Sequence, residues 1–441
     1  MRVDLQPFNL HSTHDSDRVP KEEPKKEGGT LRFRGHSPKR RKAMSTRRFV
    51  QLNPGQWLAI FPMVLFLVLC GTAEKAVSQA KEVLKIGAIG SLSGSGAAWG
   101  IATKNGVQLA VDEVNDRGGL KVGGKTYELK QIIYDDTYTG QGGTTAAQRL
   151  IFEDKAKFIV GPIGSPAALA AGLVANREKV IVLCNGFSPR ILGKDKPYTF
   201  RVTLSTNEFA PAIVKWMAAK FPNMRKVAVI CTTDEVGQAV APLNIKYYKE
   251  GGFELVADER YERGTKDMVP IINRMLVKNP DIIELDGHAP GDVALVVKQA
   301  RQLGYKKLMI QTGGPGLEQV LEVARDLAED FLSYNIFDPQ DPNVQHFVKA
   351  YDKKFGGFIN PYGPLMYNAA KLLFHCLEKE NTLDTDKIRV AIEKSDGYMT
   401  MMGPIKWTGE EVYGIRHQIL TPFYISQIKG GKILTYAKIV P

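Results

Sequence analysis

The sequence predicts an α/β protein made of two doubly wound parallel-sheet lobes. Three observations support this prediction: short β-branched segments alternate with longer amphipathic segments from Leu84 onward, the alternation occurs twice, and a seam at residues 198–209 separates the two series. Repeated strand–helix–strand units give parallel sheets with helices on both faces. The chain has 441 residues, 44% apolar and 24% charged, which is a globular composition long enough for two domains.

The first series contains four predicted strands and two predicted helices. The strands are rich in Val, Ile and Leu, and they cover residues 84–90, 127–136, 157–162 and 180–184. The helices show apolar residues three and four positions apart, and they cover residues 104–116 and 144–154.

The second series repeats this arrangement. Its predicted strands cover residues 226–232, 253–261, 281–287 and 307–313. Its predicted helices cover residues 208–221 and 291–304. In the second of these helices one apolar face is formed by Val293, Val296, Val297 and Ala300.

The pattern changes after residue 331, where a strand-like segment is followed by two helical segments and two late strands. The predicted division therefore has four parts after the leader: 81–202 (lobe 1, first part), 203–331 (lobe 2, first part), 332–416 (lobe 1, second part) and 417–441 (C-terminal strands of lobe 2). Ligands of open parallel sheets bind at the carboxyl ends of the strands, and a cleft between two lobes buries a small molecule when it closes.

Residues 1–80 are predicted to be a basic leader followed by a signal peptide. Arg47 and Arg48 precede an apolar run at 57–69, which is short for a membrane span. Cleavage is expected after Ala80 or Ala73, which predicts export to the periplasm. Three alternatives stay open, namely initiation at Met44, lipidation of Cys70, and retention of the apolar run as a membrane anchor.

The charge of the chain does not indicate a nucleic-acid partner. The formal net charge is +12, but residues 1–80 hold 14 Lys and Arg against 7 Asp and Glu. The remaining 361 residues carry 45 basic and 40 acidic side chains, which are intermixed without a basic stripe. We therefore expect no nucleic-acid binding.

Motifs of metal, cofactor and catalytic chemistry are missing from the sequence. There is no Cys-x-x-Cys pair, no HExxH and no Gly-x-Ser-x-Gly, so we expect no metal, no cofactor and no catalytic residue. Cys184 and Cys231 end apolar runs and are expected to be buried thiols.

A glycine-rich turn at 90–100 follows the first strand and resembles a nucleotide-binding loop. However, Trp99 stands where a dinucleotide fingerprint needs a small residue, and the acidic residue that should follow is misplaced. We therefore expect the glycines to form a tight turn at the cleft, with Trp99 facing an organic ligand.

Two further segments carry candidate ligand-binding residues. Ser165-Pro166 precedes an Ala-rich helix, where Ser165 is expected to cap the helix and to bind a carboxylate at its positive end. Asp292 follows a strand of the second lobe and is expected either to cap the helix that begins at Val293 or to meet a ligand ammonium group.

Taken together, six segments of the sequence resemble the leucine/isoleucine/valine-type periplasmic binding proteins, the type I solute-binding components of ABC importers. These segments occur in the family's order over residues 82–440, and they are LKIGAIGSLSGSGAAWG, GVQLAVDEVNDRGGLKVGGKTYELKQIIYDD, GPIGSPAALA, GTKDMVPIINRMLVKNPDII, VKQARQLG and MMGPIKW. The resemblance implies two lobes joined by three crossovers, which close over a ligand.

The resemblance also implies roles for individual residues. Trp99 matches an aromatic residue that packs on the ligand, Ser165 matches the serine that holds its carboxylate, and Asp292 lies near the acid that pairs with its ammonium group. Two positions depart from the family pattern. Phe187 replaces a ligand-binding Thr, with Ser188 as a substitute hydroxyl, and Val236 replaces an aromatic wall.

The sequence therefore predicts a non-catalytic, monomeric receptor that delivers a small solute to the membrane permease of an ABC importer. The expected ligand is a branched-chain or other amino acid, or an aromatic acid or amide. One alternative is a sensor of the same fold that acts on a signalling partner. An NAD-type oxidoreductase is the other alternative, and the missing fingerprint argues against it.

Overall fold

The computed structural model describes residues 81–441. The leader, its alternative start, the cleavage sites and Cys70 lie outside the described residues. In the described part, the strands in chain order are β1 (Glu82–Gly90), β2 (Leu120–Val122), β3 (Lys125–Asp135), β4 (Phe158–Ile163), β5 (Ile181–Asn185), β6 (Thr199–Arg201), β7 (Lys226–Thr232), β8 (Glu254–Tyr261), β9 (Ile282–Glu284), β10 (Leu308–Gln311), β11 (Leu332–Asn335), β12 (Met399–Thr400), β13 (Gly403–Pro404), β14 (Lys406–Thr408), β15 (Gln418–Leu420), β16 (Phe423–Lys429) and β17 (Lys432–Ile439).

The α-helices alternate with these strands. In chain order they are α1 (Ala97–Asp116), α2 (Gly140–Gln148), α3 (Ser165–Arg177), α4 (Thr206–Lys220), α5 (Ala241–Glu250), α6 (Val269–Leu276), α7 (Pro290–Gln302), α8 (Leu317–Ala324), α9 (Gln345–Lys354), α10 (Tyr362–Glu380), α11 (Thr385–Glu393) and α12 (Glu410–Tyr413). The predicted strands and helices of both series are present, with ends that differ by a few residues.

Two mostly parallel sheets form the framework, as the sequence predicts. The first has the strand order β14-β15-β6-β5-β4-β1-β3-β2, and the second has the order β17-β16-β11-β10-β9-β7-β8. We call the elements built on these sheets the first lobe and the second lobe. The hydrophobic core forms one cluster that includes strands of both sheets and two smaller clusters that each serve one lobe.

The chain passes between the two sheets three times. It leaves the first sheet after β6, returns after β11, and leaves again between β15 and β16. Three crossovers are what the resemblance implied, and they are the segments about which two such lobes can hinge.

Two predicted domain boundaries differ from the sheet membership. Leu332–Asn335 was assigned to lobe 1, but it pairs with β10 and β16 in the second sheet. Gln418–Leu420 was assigned to lobe 2, but it pairs with β14 and β6 in the first sheet. Local sequence cannot reveal either pairing, because the partner strands are up to about 200 residues away in the chain and are chosen by packing.

Candidate functional site

A small cavity lies between the lobes, at the carboxyl ends of several parallel strands. Its first-lobe lining comes from the segments that follow β3, β4 and β5 and from the starts of α1 and α10; its second-lobe lining comes from the segments after β7 and β9. The lining residues are Trp99, Tyr138, Ile163, Gly164, Ser165, Asn185, Gly186, Phe187, Val236, Gly287 and Tyr362. Four predicted site residues are among them: Trp99, Ser165, Phe187 and Val236.

Ser165 is buried at the start of α3, and its hydroxyl oxygen accepts two backbone hydrogen bonds. Phe187 N–H donates to Ser165 Oγ at 3.0 Å and Ser188 N–H donates to it at 3.1 Å. These bonds occupy both lone pairs of the oxygen and leave its own O–H as a donor. Ser165 is therefore polarised to donate a hydrogen bond toward an anion in the cavity.

The residue that caps α3 is Gly164, so the prediction that Ser165 is the N-cap is wrong. Gly164 has φ = 108°, and a Cβ atom there would lie 2.0 Å from Cε2 of Tyr138. Only glycine tolerates both constraints. Because Gly164 has no side chain, the free N–H groups and the positive end of α3 face the cavity without a capping side chain.

Four aromatic side chains form most of the remaining lining. Trp99 packs edge to face against Tyr138 at 5.5 Å and against Tyr362 at 5.4 Å between ring centroids. Its indole N–H donates to the carbonyl of Pro315 in the second lobe at 2.7 Å. Trp99 is thus buried in the lobe interface and is not exposed at the lip of the cleft.

Phe187 and Val236 contribute apolar surface from opposite lobes. The ring of Phe187 packs against Phe209 at 5.2 Å between centroids. The segment that carries Phe187 is fixed by Arg201 on β6, whose guanidinium donates to the carbonyls of Gly186 and Ser188 at 2.9 Å each. The fully buried Arg201 thus positions this wall, and no sequence motif marks it as a site residue.

Ser188 lies beside the cavity and not in its lining. Its hydroxyl donates to Glu235 of the second lobe at 2.5 Å, and Arg190 lies 3.3 Å from the same carboxylate. Ser188 therefore joins the two lobes at one edge of the cleft, and its role as a hydroxyl for the ligand is not supported by its position.

Asp292 also lies outside the cavity lining. The helix α7 begins at Pro290 with Ala289 as its N-cap, so the prediction of a helix starting at Val293 with an Asp292 cap is wrong. The Asp292 carboxylate contacts Arg263 at 3.3 Å and accepts a hydrogen bond from Ser95 of the first lobe at 3.3 Å. Burial raises the pKa of Asp292 above its ordinary value, and the Arg263 charge opposes that change.

Asn185 is a polar lining residue that the sequence interpretation missed. It ends β5 and is buried, and its side-chain amide lies near the hydroxyl of Tyr362, another lining residue. An amide can make up to four hydrogen bonds, so Asn185 keeps bonding capacity beyond this contact. Its place at the end of a predicted strand, 20 residues after Ser165, was the signal that could have found it.

Two buried carboxyl groups lie beneath the cavity in the second lobe. Asp286 follows β9 and points toward Gly313, close to the rings of Phe187 and Phe209. Burial raises the pKa of Asp286 well above its ordinary range, and the nearby Glu284 raises it further. Burial therefore disfavours the charged form of Asp286.

The described residues contain three cysteines, and all are buried and free, as expected for Cys184 and Cys231. No group of three or more His, Cys, Asp or Glu side chains in residues 81–441 is arranged to hold a metal ion. Over the same residues, none of the helices has both the length and the apolar character needed to cross a membrane.

A sequence model described as "Periplasmic binding protein" matches residues 83–432, which is most of the chain. This chain belongs to the periplasmic binding protein family. A leucine-, isoleucine-, valine-, threonine- and alanine-binding protein of Pseudomonas aeruginosa is 24% identical over 335 residues, covering 74% of this chain and 87% of that protein. The resemblance to the leucine/isoleucine/valine type is thereby confirmed.

Solved structures of this family share the fold. A leucine-binding protein of Thermotoga maritima superposes with a TM-score of 0.71 at 23% identity, covering 81% of this chain and 99% of that chain. A solute-binding protein of an ABC transporter from R. palustris, solved with benzoate, gives a TM-score of 0.70 at 19% identity and covers 81% and 97%. The predicted fold is confirmed, and the family is one of solute-binding proteins, not of enzymes.

Proposed function

We propose that this periplasmic binding protein captures a small aromatic monocarboxylate between its lobes and delivers it to the membrane permease of an ABC importer. The observation that carries the proposal is the geometry at Ser165. Its hydroxyl donor lies at the positive end of α3 and faces a cavity lined by aromatic rings.

The polar groups of the cavity favour an anion bound by neutral donors. Ser165 and Asn185 both line the cavity, Gly164 and Ser165 place the N-terminus of α3 at its wall, and no charged side chain of residues 81–441 is in its lining. Hydrogen bonds from neutral donors and a helix end are sufficient to bind a carboxylate.

The apolar lining favours a ring over a branched aliphatic chain. Trp99, Tyr138, Phe187 and Tyr362 offer faces and edges to a planar ligand. A ligand ammonium group meets no acid in the cavity lining, because Asp292 lies outside it and is paired with Arg263, and burial disfavours the charged form of Asp286. Benzoate in the R. palustris structure supports an aromatic acid, while the leucine-binding relatives keep an aliphatic amino acid as the second candidate.

The predicted signal peptide and the family support a periplasmic location for a monomer. The permease partner follows from the same family membership, since an isolated receptor has no route across the membrane for its solute.

The test is a binding measurement on the purified full chain, unfolded and refolded to remove any carried-over ligand. Thermal shift and calorimetry are measured with benzoate, benzamide and leucine. We expect benzoate to stabilise the protein most. Loss of a hydrogen bond to a charged group costs about 1.5–3 kcal/mol, so Ser165→Ala should weaken benzoate binding about 10- to 100-fold.

Ser333→Ala serves as the control, because Ser333 is a buried serine on β11 outside the cavity. Equal stabilisation by benzamide and benzoate would overturn carboxylate capture. Unchanged benzoate affinity in Ser165→Ala would overturn the role of Ser165, and a preference for leucine would overturn the aromatic ring.

A further inference from the structure

Arg263, in the segment after β8, is held rigidly by the second lobe. Its guanidinium donates to Asp234 through Nε at 2.9 Å, to Thr232 through Nη2 at 3.2 Å and to Asp292 through Nη1 at 3.3 Å. A planar guanidinium with its edge bonded on several sides keeps a fixed orientation. Its face is then the surface left for contact with another group.

That face lies on the first lobe. The Cζ atom of Arg263 is 4.1 Å from the centroid of the Tyr138 ring, which is within the range of a cation–π interaction. Tyr138 is only 3% exposed, and Arg263 is nearly buried, so both groups are withdrawn from water. Desolvation strengthens this kind of contact.

Tyr138 is itself fixed by an uncommon backbone conformation. Thr137 and Tyr138 have φ values of 49° and 59°, in the left-handed region that residues other than glycine seldom adopt. The N–H of Tyr138 donates to the Asp136 carboxylate at 2.7 Å, which holds this turn. Such strain persists where the surroundings impose it, frequently at sites of ligand binding or switching.

We propose that Arg263 is a closure residue, whose contact with Tyr138 stabilises the closed arrangement of the lobes and couples it to the ligand cavity. One side of the Tyr138 ring meets Arg263, and the same ring lines the cavity beside Gly164. A ligand that packs on Tyr138 therefore orders the surface on which Arg263 docks, and docking of Arg263 orders a wall of the ligand site.

A second contact places Arg263 at the meeting point of the lobes. Asp292, which pairs with Arg263, accepts the hydrogen bond from Ser95 of the first lobe. Next to it, a Cβ atom added to Gly291 would lie 3.2 Å from Cβ of Ser95. These contacts exist only when the lobes are together, so loss of the Tyr138–Arg263 contact should shift the equilibrium toward open lobes.

The Ser95–Gly291 approach supplies a direct assay of closure. Disulfides need Cβ atoms about 3.5–4.5 Å apart, so a Ser95→Cys/Gly291→Cys protein can form its disulfide only with the lobes together, after a separation of a few tenths of an ångström at this contact. We would measure the rate of oxidation in the full chain, refolded without added ligand, and identify the linked peptides by mass spectrometry. A desolvated cation–π contact contributes about tenfold or more to an equilibrium, so Arg263→Gln and Tyr138→Leu should slow trapping about tenfold.

Two variants serve as controls in the same background. Tyr138→Phe keeps the ring and should be trapped at the parental rate. Arg274→Gln removes an exposed arginine that pairs with Glu259 inside the second lobe, and it should also leave the rate unchanged. Because Arg263 and Tyr138 lie on different lobes, a folding defect in one variant, detected by thermal unfolding, leaves the other as the test.

Parental trapping rates in both Arg263→Gln and Tyr138→Leu would overturn the proposal, and so would a parent protein that is not trapped at all. Slow trapping of Tyr138→Phe would overturn the part assigned to the ring. The inference rests on the proposed function only in treating Tyr138 as a wall of the ligand site. The trapping assay needs no ligand, so its failure is separate from a failure of benzoate binding.

Discussion

At the scale of single residues, the polar groups of the proposed site are uncharged side chains. Neighbouring groups determine which hydrogen bonds these side chains can still make. Ser165 accepts two backbone hydrogen bonds and keeps its own hydrogen as a donor, and Asn185 is a buried neutral amide near Tyr362. A cavity of this kind distinguishes a carboxylate from a neutral analogue by hydrogen bonds that the analogue cannot accept equally well. In the second lobe, burial raises the pKa of Glu284 and Asp286 and so disfavours their charged forms.

Glu284 on β9 allows a test of whether burial favours the neutral form of an acid in the second lobe. Its carboxyl accepts hydrogen bonds from Thr312, Tyr248 and Asn244, but burial outweighs these bonds and raises the pKa of Glu284 to about 7 from an ordinary 4.5. The native state therefore holds a proton that the unfolded chain releases near pH 4.5. This group's contribution to stability is complete below that pH, falls as the pH rises toward 7, and is constant above it.

We predict that Glu284→Gln removes this part of the pH dependence. The unfolding free energy of the variant minus that of the parent should rise by about 3 kcal/mol as the pH increases from 4.5 to 8. Urea unfolding at several pH values measures it, and the difference cancels the contributions of acids that do not interact with Glu284; the neighbouring Asp286, whose pKa Glu284 raises, changes in the same direction. Parallel pH profiles of the two proteins would contradict the prediction.

Some residues of the lobe interface could be located from the sequence, and others could not. Trp99 and Ser165 are found from their places after predicted strands, because strand ends meet in a cleft. Arg263 also follows a predicted strand, but it stands among other charged residues, and nothing in the sequence distinguishes it from them. Asp292 is located by its place after a predicted strand, but its pairing with Arg263, 29 residues away, could not be predicted because it depends on how β8 and α7 pack.

At the scale of elements, the first crossover ends in a helix cap that also contacts the other lobe. Ser205 caps α4 in a capping box with Glu208, and its hydroxyl lies 2.8 Å from the hydroxyl of Tyr413 in α12. Tyr413 also donates to Glu208 at 2.9 Å. The cap therefore fixes both the start of a second-lobe helix and its position relative to the first lobe.

We predict that Ser205→Ala lowers the unfolding free energy by about 1–2 kcal/mol, because the mutation removes a cap and a buried hydrogen bond. Asp384→Ala, which removes an exposed cap of α11, should cost less. Urea denaturation measures both variants. A cost for Ser205→Ala no larger than that for Asp384→Ala would show that the Tyr413 contact contributes nothing.

The positions of most elements could be predicted from sequence, because apolar periodicity marks strands such as β4, β7 and helices such as α7. Their assignment to sheets was less predictable. The segments β11 and β15 are short, and each is defined by its partner strands and not by its own composition.

At the scale of the whole molecule, Trp99 is a natural reporter of lobe closure. Its indole is 2% exposed and donates to Pro315 across the lobe interface, so separation of the lobes must bring water to the ring. The other described tryptophans, Trp216 and Trp407, each pack within one lobe, where separation changes little.

We predict that tryptophan emission of the Ser95→Cys/Gly291→Cys protein is at shorter wavelength when the disulfide is formed than when it is reduced. The difference should vanish after Trp99→Phe and persist after Trp407→Phe. Fluorescence spectra of the oxidised and reduced forms provide the measurement. A difference that survives in Trp99→Phe would contradict the assignment of Trp99 to the moving interface.

Both sheets are completed by strands that come late in the sequence. The first sheet receives β14 and β15, and the second receives β16 and β17, all from the final 36 residues of the chain. A chain synthesised from its N-terminus therefore leaves β6 and β11 paired on one side only until residues 406–439 are made. Neither sheet can be completed before then, so the two lobes mature together, and a chain that lacks residues 406–439 leaves both sheets open at an edge.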